Sequence, residues 1–129
     1  MKELTKPMYM NNRTLLIVED DQMSFESLKK ILDNLGYQNM VHVKTGMDAL
    51  SEVKTKTFDI VLMDIGLEGK LDGIDTSTLM EGKSRVIFTS AHHKDGETFK
   101  RIAKAGSYGF ISKPYTLQQV REALENALN

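Results

Sequence analysis

The feature of the sequence that most constrains the fold is a short apolar run that ends in a single acid. Residues Ile60 to Met63 are all apolar, and Asp64 follows them directly. An uninterrupted apolar run of this length is typical of a strand that is buried on both faces, as in a parallel sheet. We therefore expect a parallel α/β sheet in which Asp64 lies where this strand leaves the core. In such sheets the ligand-binding crevice lies at the carboxyl ends of the strands.

Further strands and helices alternate around this run. We predict strands at 14–18, 40–43, 58–63, 85–89 and 108–111. A helix should follow each strand, and the third helix, at about 74–80, should have two turns at most because two threonines and a serine weaken it. Alternation of this kind predicts a doubly wound five-stranded parallel sheet with helices on both faces. The strand order 2-1-3-4-5 suits so short a chain and sets strands one and three side by side.

Apolar spacing and capping residues define the predicted helices. The first helix, at about 23–35, has an apolar stripe that should be buried, and Gly36 should end it in a left-handed conformation. Asp21 fits a helix cap better than a metal ligand. In the helix at about 96–104, we expect Phe99, Ile102 and Ala103 to face inward. In the last helix, the expected buried stripe consists of Leu117, Val120, Leu124 and Leu128.

Composition narrows the functional classes. The 129 residues suit one domain, and the chain has no cysteine for disulfides or thiolate metal sites. The 17 basic and 18 acidic residues give a net charge of −1, so charge gives no case for binding nucleic acid or an anionic membrane. No apolar run approaches the ~18 residues of a membrane span. We expect a cytoplasmic protein with a flexible lead-in at 1–12 and a domain at 13–129.

Polar residues end the predicted strands and should meet at one edge of the sheet. Strand one ends in Glu19 and Asp20, strand three in Asp64, strand four in Ser90 and strand five in Lys113. Three carboxylates at one crevice repel each other and must bind protons or a cation. Oxygen ligands open to water suit Mg²⁺, which shares its coordination shell with phosphate oxygens. An aspartate beside Mg²⁺, a lysine and a hydroxyl is equipped to accept a phosphoryl group.

Four short segments make the chain resemble a known family. Val18-Glu-Asp-Asp21, Val61-Leu-Met-Asp64-Ile, Phe88-Thr-Ser90-Ala91 and Phe110-Ile-Ser-Lys113-Pro114 resemble, in order, the four signatures of the receiver domain of two-component response regulators. The resemblance covers about residues 13–129. One such motif is weak evidence, but four in the right order on the right strands are strong. The sequence thus predicts a stand-alone receiver domain, a signalling domain rather than an enzyme with an external substrate.

The resemblance implies a role for each site residue. Asp64 would be the phosphoacceptor, and the Mg²⁺ ligands would be Glu19, Asp20, Asp64 and the backbone carbonyl of Gly66. Lys113 would pair with a phosphoryl oxygen as a point charge.

Three further positions carry roles in the resemblance. Ser90 would hydrogen-bond a phosphoryl oxygen and start a conformational switch, in which Phe110 would be the aromatic that turns inward. The Lys113–Pro114 peptide bond is expected to be cis. The phosphoryl donor would be a histidine kinase or a histidine phosphotransfer protein, and the signal would pass to a protein target. We expect a monomer or weak dimer.

The sequence also departs from the family pattern. Glu68 stands where proline is common, and only 26 positions separate Asp64 from Ser90, which shortens the third helix. Gly66 leaves a bare position where other receivers carry a side chain that tunes hydrolysis.

Other functions and sites remain as alternatives. A degenerate receiver could act as a constitutive protein-binding module, although every acidic, hydroxyl and lysine position is filled. A phosphohydrolase with an aspartyl-phosphate intermediate would need a second aspartate where Gly66 stands. Neither phosphate-binding glycine motif of nucleotide enzymes is present. His92 and His93 are adjacent on a loop with no third ligand at a sensible spacing, which argues against a metal site.

Overall fold

A computed structural model describes residues 12–91 and 96–129. The predicted lead-in lies outside the described residues except for its last position, and so do His92 and His93. The strands are β1 (Thr14–Val18), β2 (Asn39–Val43), β3 (Ile60–Asp64), β4 (Arg85–Ser90) and β5 (Gly109–Ser112). The helices are α1 (Gln22–Asn34), α2 (Gly46–Thr55), α3 (Gly73–Leu79), α4 (Gly96–Ala105) and α5 (Leu117–Leu128).

The five strands form one parallel sheet in the order β2-β1-β3-β4-β5, which confirms the predicted topology. Strand β3 lies at the centre, between β1 and β4. Leu16 pairs with Val61 on one side of it, and Asp64 pairs with Thr89 on the other. Every residue of β3 is buried, as the uninterrupted apolar run predicts. The acid at its end is therefore anchored to a central strand that is buried along its whole length.

Alternation along the strands divides the core into two layers. Leu15 and Ile17 of β1 face the layer covered by α1 and α5, which contribute Leu28 and Val120 among others. Leu16 faces the opposite layer, which is covered by α2, α3 and α4. Helices on both faces are the arrangement expected for a parallel sheet.

The predicted caps are present. Asp21 precedes α1, and its Oδ2 accepts a hydrogen bond from the backbone N of Ser24 at 2.9 Å, which is the role the sequence assigns to it. Thr45 and Thr116 cap α2 and α5 in the same way. Gly36 has φ of +92° and follows the end of α1, as predicted.

Helix α3 has seven residues, which confirms that it is short. Helix α4, however, does not bury the stripe predicted for it. Phe99 is 56% exposed and Ala103 is also exposed, whereas Ile102 and Ala105 pack partly against the core. The prediction that Leu117 is buried in the stripe of α5 is likewise wrong. Spacing identifies the apolar side of a helix, but whether a neighbour covers it depends on the lengths of the adjacent helices.

No described helix is both long enough and apolar enough to cross a membrane.

Candidate functional site

The carboxyl ends of β1, β3, β4 and β5 converge at one edge of the sheet. Asp64 is the last residue of β3, and Glu19 and Asp20 follow the end of the adjacent β1. Ser90 ends β4, one residue beyond the partner of Asp64, and pairs with Ser112 of β5. Lys113 follows directly. Strand order alone therefore gathers residues that are far apart in the sequence.

Three acids form a cluster at this edge. Glu19, Asp20 and Asp64 each offer one carboxylate oxygen, and these oxygens lie within 4.8 Å of one another. Glu19 is only 2% exposed, Asp64 is buried and Asp20 is partly exposed. The cluster is thus open to water on one side and closed by the sheet on the other.

Lys113 inserts its ammonium group between two of these acids. Its Nζ lies 2.6 Å from Oε1 of Glu19 and 3.5 Å from Oδ2 of Asp64. The backbone N of Lys113 donates to the carbonyl of Ser90 at 2.8 Å, which anchors the lysine at the end of β4. The Lys113–Pro114 peptide bond is cis.

Burial and charge shift the titration of the Glu19–Lys113 pair. Burial raises the pKa of Glu19 to about 7, the charge of Asp64 adds to this, and the hydrogen bond from Lys113 opposes it. Burial alone would lower the pKa of Lys113, but its hydrogen bond to Glu19 and the surrounding negative groups raise it. Lys113 therefore stays charged, while Glu19 can take up a proton when no metal is bound.

Backbone amides orient the three carboxylates. Oδ1 of Asp64 accepts from the N of Gly66 at 3.0 Å, and Oδ2 of Asp20 accepts from the N of Glu68 at 3.3 Å. Oε2 of Glu19 accepts from the N of Asp21 at 3.1 Å. The loop after β3 therefore contacts both the end of its own strand and the acid that follows β1.

Two glycines lie near Asp64, and they differ in the space available for a side chain. A Cβ built on Gly73 would overlap the backbone carbonyl of Asp64, so this position has no room for a side chain. A Cβ on Gly66 would lie 3.7 Å from Oδ1 of Asp64, an ordinary contact. Gly73 thus permits a close approach of α3, whereas Gly66 leaves open space beside the acid.

The two residues assigned to a switch differ in exposure. Ser90 is buried at the end of β4, and Phe110 of β5 is 37% exposed. Phe110 pairs with Phe88 of β4, so it lies two positions before Ser112, the partner of Ser90. The sheet therefore links the two residues through neighbouring strands.

Sequence reasoning missed one contact of the site. Nε2 of His42 lies 2.8 Å from the carbonyl oxygen of Glu19, and the imidazole stacks on Phe25 with 3.7 Å between ring centroids. The N of Glu19 also donates to the carbonyl of Val43 at 3.0 Å. Strand β2 therefore fixes the backbone of Glu19. The predicted strand order places β2 beside β1, so a contact between a side chain of β2 and the end of β1 could have been expected from the sequence.

The sequence favours a solvated face of α4, rather than a docking patch, at Lys100, Arg101 and Lys104. The side chain of Arg101 is 40% exposed, but it also forms ion pairs that the sequence did not predict. Its guanidinium bonds both carboxylate oxygens of Asp72, at 2.9 and 3.1 Å, and Oδ1 of Asp75 at 3.0 Å. No local pattern could have shown this, because the partners lie on another helix.

The donor set of the cluster fits a hard divalent cation. All three ligating groups are carboxylates, and the described part of the cluster contains no sulfur or imidazole ligand. A partly hydrated, oxygen-lined site of this kind suits Mg²⁺. Burial raises the pKa of Glu19, and a cation bound at the cluster would favour the charged form of this carboxylate.

The family model and the relatives that match this chain all point to the same kind of domain. The response regulator receiver domain family matches residues 15–125. The transcriptional regulatory protein ZraR of Salmonella typhimurium is 34% identical over 118 residues, which are 88% of this chain and 26% of ZraR. The chemotaxis protein CheY of Pseudomonas aeruginosa is 28% identical over 116 residues, 86% of this chain and 92% of CheY.

A solved structure shows the same architecture. The signal receiver domain of a modulated diguanylate cyclase from Desulfovibrio desulfuricans G20 aligns with a TM-score of 0.81 and 32% identity, covering 90% of this chain and 93% of that one. The chain spans less than half of the length of the transcriptional regulatory proteins that it matches.

Proposed function

The chain belongs to the response regulator receiver domain family of two-component signal transduction, and on that premise we propose that Asp64 is its phosphoacceptor. We propose that residues 13–129 form this domain. The donor would be a histidine kinase or a histidine phosphotransfer protein, acting with Mg²⁺. The observation that carries the proposal is the meeting of three acids and one ammonium group at the end of β3.

The transfer is a displacement at phosphorus. A carboxylate oxygen of Asp64 forms a bond to phosphorus as the bond from phosphorus to the donor histidine nitrogen breaks, and the leaving imidazole keeps the electron pair and takes up a proton. Glu19, Asp20, Asp64 and the carbonyl of Gly66 would hold the metal, whose charge would offset that of the transferring group. Catalysis of such a step consists mostly of positioning and charge stabilisation.

Lys113 changes partner in this scheme. In the unphosphorylated protein its ammonium pairs mainly with Glu19 and lies farther from Asp64. A phosphoryl group on Asp64 brings further negative oxygens beside the ammonium, which then binds one of them. The hydroxyl of Ser90 binds another, and the resulting shift at the end of β4 reaches Phe110 through β5. The altered surface formed by α4, β5 and α5 then signals to a protein target or the phosphoryl group passes on.

A hollow beside the site offers a docking place for the donor. Its volume is about 450 Å³, and it is lined by Met23, Ala91, Pro114 and Tyr115 together with Lys113 and parts of α1. Met23 is 80% exposed although it is apolar. We propose that a protein donor packs against Met23 and the apolar residues beside it.

Labelling with a small-molecule donor tests the proposal. The wild type in Mg²⁺ and acetyl phosphate should gain one phosphoryl group, detected by intact mass and by a shift on phosphate-affinity gels. Asp64→Asn should stay unlabelled, whereas Asp33→Asn, which changes an exposed acid of α1, should label as the wild type does.

Two further measurements on the wild-type protein distinguish the proposed function from a constitutive binding module and from a phosphohydrolase. Amide NMR spectra that do not respond to Mg²⁺ with beryllofluoride would indicate a constitutive binding module instead. Continuous turnover of a phosphate ester, lost in Asp64→Asn, would indicate a phosphohydrolase.

A further inference from the structure

We propose that Arg101 is a positioning residue that ties helix α4 to the loop behind the acceptor and so holds the resting form of the domain. The tie consists of three hydrogen bonds from one guanidinium to Asp72, the N-cap of α3, and to Asp75 in its first turn. Helix α3 starts at Gly73, which lies against the backbone of Asp64. The coupling of Arg101 to the loop after Asp64 does not depend on the proposed function. The effect of Arg101 on activation does rest on that function.

Among the described residues, helix α4 packs only lightly against the core. All residues from Gly96 to Ala105 are described, and none of them is buried. Ile102 and Ala105 contact the core only partly, and Phe99 points its ring largely into solvent. A helix with so little apolar burial gains little stability from packing. The ion pairs of Arg101 therefore add a polar contact to α3 where the apolar packing of α4 is weak.

The acids bound by Arg101 organise the start of α3. Asp72 is the N-cap of α3, and its Oδ1 accepts from the N of Asp75 at 2.8 Å. Its carbonyl accepts from the hydroxyl of Thr76 at 2.7 Å. Burial alone would raise the pKa of Asp72, but hydrogen bonds from Arg101 and from the backbone of Asp75 hold it below its usual range. Asp72 is therefore charged at neutral pH and bonded to both helices.

The start of α3 is in turn packed against the acceptor. The N of Gly73 donates to the carbonyl of Ile65 at 3.3 Å, and Gly73 approaches the carbonyl of Asp64 too closely for a side chain. The N of Ile65 donates to the carbonyl of Thr89 in β4. A continuous series of contacts thus runs from Arg101 through Asp72 and Gly73 to the backbone of the acceptor.

The geometry favours arginine over lysine at position 101. A guanidinium presents several N–H groups in one plane, so it can bond both oxygens of Asp72 and still reach Asp75. A lysine ammonium would keep the charge but not this planar, two-point contact. Because the pair is partly exposed, its effect should be modest and should weaken in salt.

Amide NMR of the metal-free protein tests the tie without any phosphorylation. Arg101→Gln should shift the amides of Ile65 and Gly66, which lie beyond the contact residues, and Arg101→Lys should shift them less. Lys104→Gln, a charge change on the same helix, should leave them in place. Changes confined to α4 and to residues 72–76 would overturn the inference, because the ion pair would then act only locally.

Beryllofluoride titration in Mg²⁺ tests the effect on activation. If the tie holds the resting form, Arg101→Gln should bind beryllofluoride about threefold more tightly than the wild type, as expected for loss of a partly exposed pair. Asp72→Asn, which can still cap α3, should give a similar change, and the double variant should add little to either. High salt should narrow the gap between wild type and Arg101→Gln.

Equal or weaker binding by Arg101→Gln would overturn the resting-state role. A wild type that binds no beryllofluoride would instead contradict the proposed function, and the amide shifts in the metal-free protein would still decide whether Arg101 is coupled to the acceptor loop.

Discussion

The ammonium nitrogen of Lys113 lies 2.6 Å from Oε1 of Glu19 and 3.5 Å from Oδ2 of Asp64. Lys113 therefore lies closer to Glu19, a proposed metal ligand, than to Asp64, the proposed phosphoacceptor. This pairing makes Lys113 and a bound divalent cation partial substitutes for each other, because both neutralise the same buried carboxylates.

Lys113→Ala should therefore make folding more dependent on Mg²⁺. Removing one partner of a buried ion pair leaves Glu19 uncompensated and should lower the free energy of unfolding by about 2 kcal/mol or more in metal-free buffer. Added Mg²⁺ should restore more stability to this variant than to the wild type, as measured by urea unfolding. Lys100→Ala, on exposed α4, is the control. An identical Mg²⁺ effect in all three proteins would contradict the prediction.

The raised pKa of Glu19 predicts how metal-free stability varies with pH. Because its pKa rises from 4.5 in the unfolded chain to about 7 in the fold, the folded protein binds more protons between these values. The contribution of Glu19 to the free energy of unfolding is thus full below about pH 4.5 and is lost as the pH rises toward 7. The loss should be on the order of 2 kcal/mol.

Urea unfolding in metal-free buffer across this pH window measures the effect. Glu19→Gln cannot titrate, so its stability should fall less than that of the wild type. Parallel pH profiles for the two proteins would show that Glu19 is ionised throughout.

Gly73→Ala should disturb the acceptor without touching its side chain. The added methyl group would overlap the carbonyl of Asp64, so the backbone must move, at a cost of about 1–3 kcal/mol. Labelling by acetyl phosphate should slow as well. Gly96→Ala adds the same methyl group where no atom of residues 12–91 or 96–129 lies within 4 Å, and it should be tolerated. Equal behaviour of the two variants would argue against the close approach.

Asp21 should prove to be a cap and not a metal ligand. Its Oδ2 accepts a bond from the N of Ser24, and this bond lowers its pKa. Asparagine caps helices as well as aspartate does, so Asp21→Asn should keep both the melting temperature and the Mg²⁺ affinity, whereas Asp21→Ala should lower the melting temperature alone. Loss of Mg²⁺ binding in Asp21→Asn, measured by calorimetry, would assign it to the metal site.

Met23→Asp should slow phosphoryl transfer from a protein donor but not from a small-molecule donor. A charge in the hollow beside the site should slow transfer from a protein donor by about tenfold, as loss of a central apolar contact does at other interfaces. Labelling by acetyl phosphate should stay unchanged, because a small donor needs no docking surface. The protein donor for this assay is the histidine kinase that transfers phosphate fastest to the wild type in a panel of such kinases. Met47→Asp, an exposed apolar site on α2, is the control.

Much of the fold follows from residues whose behaviour is local. The apolar run before Asp64 predicts a central strand, and Asp21 and Gly36 predict where α1 begins and ends; the structure agrees in each case. The alternation of elements then leaves few possible topologies, and the observed strand order is the predicted one. The convergence of Glu19, Asp20 and Asp64 follows from that order.

Contacts between different helices could not be predicted from the sequence. Arg101 and Asp72 belong to different helices, and their pairing depends on how far the short α3 extends beside α4. The exposure of Phe99 has the same origin, because periodicity gives the apolar side of α4 but not the surface that would cover it. His42 required a side chain to reach across from β2 to the backbone of Glu19.

The central place of β3 has a consequence for how the protein matures. The carboxylate of Asp64 is flanked by Glu19, which follows the first strand, and by Lys113, which follows the last. If Asp64 accepts a phosphoryl group as proposed, we expect this reactivity only in chains whose whole sheet has assembled. Partly folded copies should then fail to compete for the phosphoryl donor.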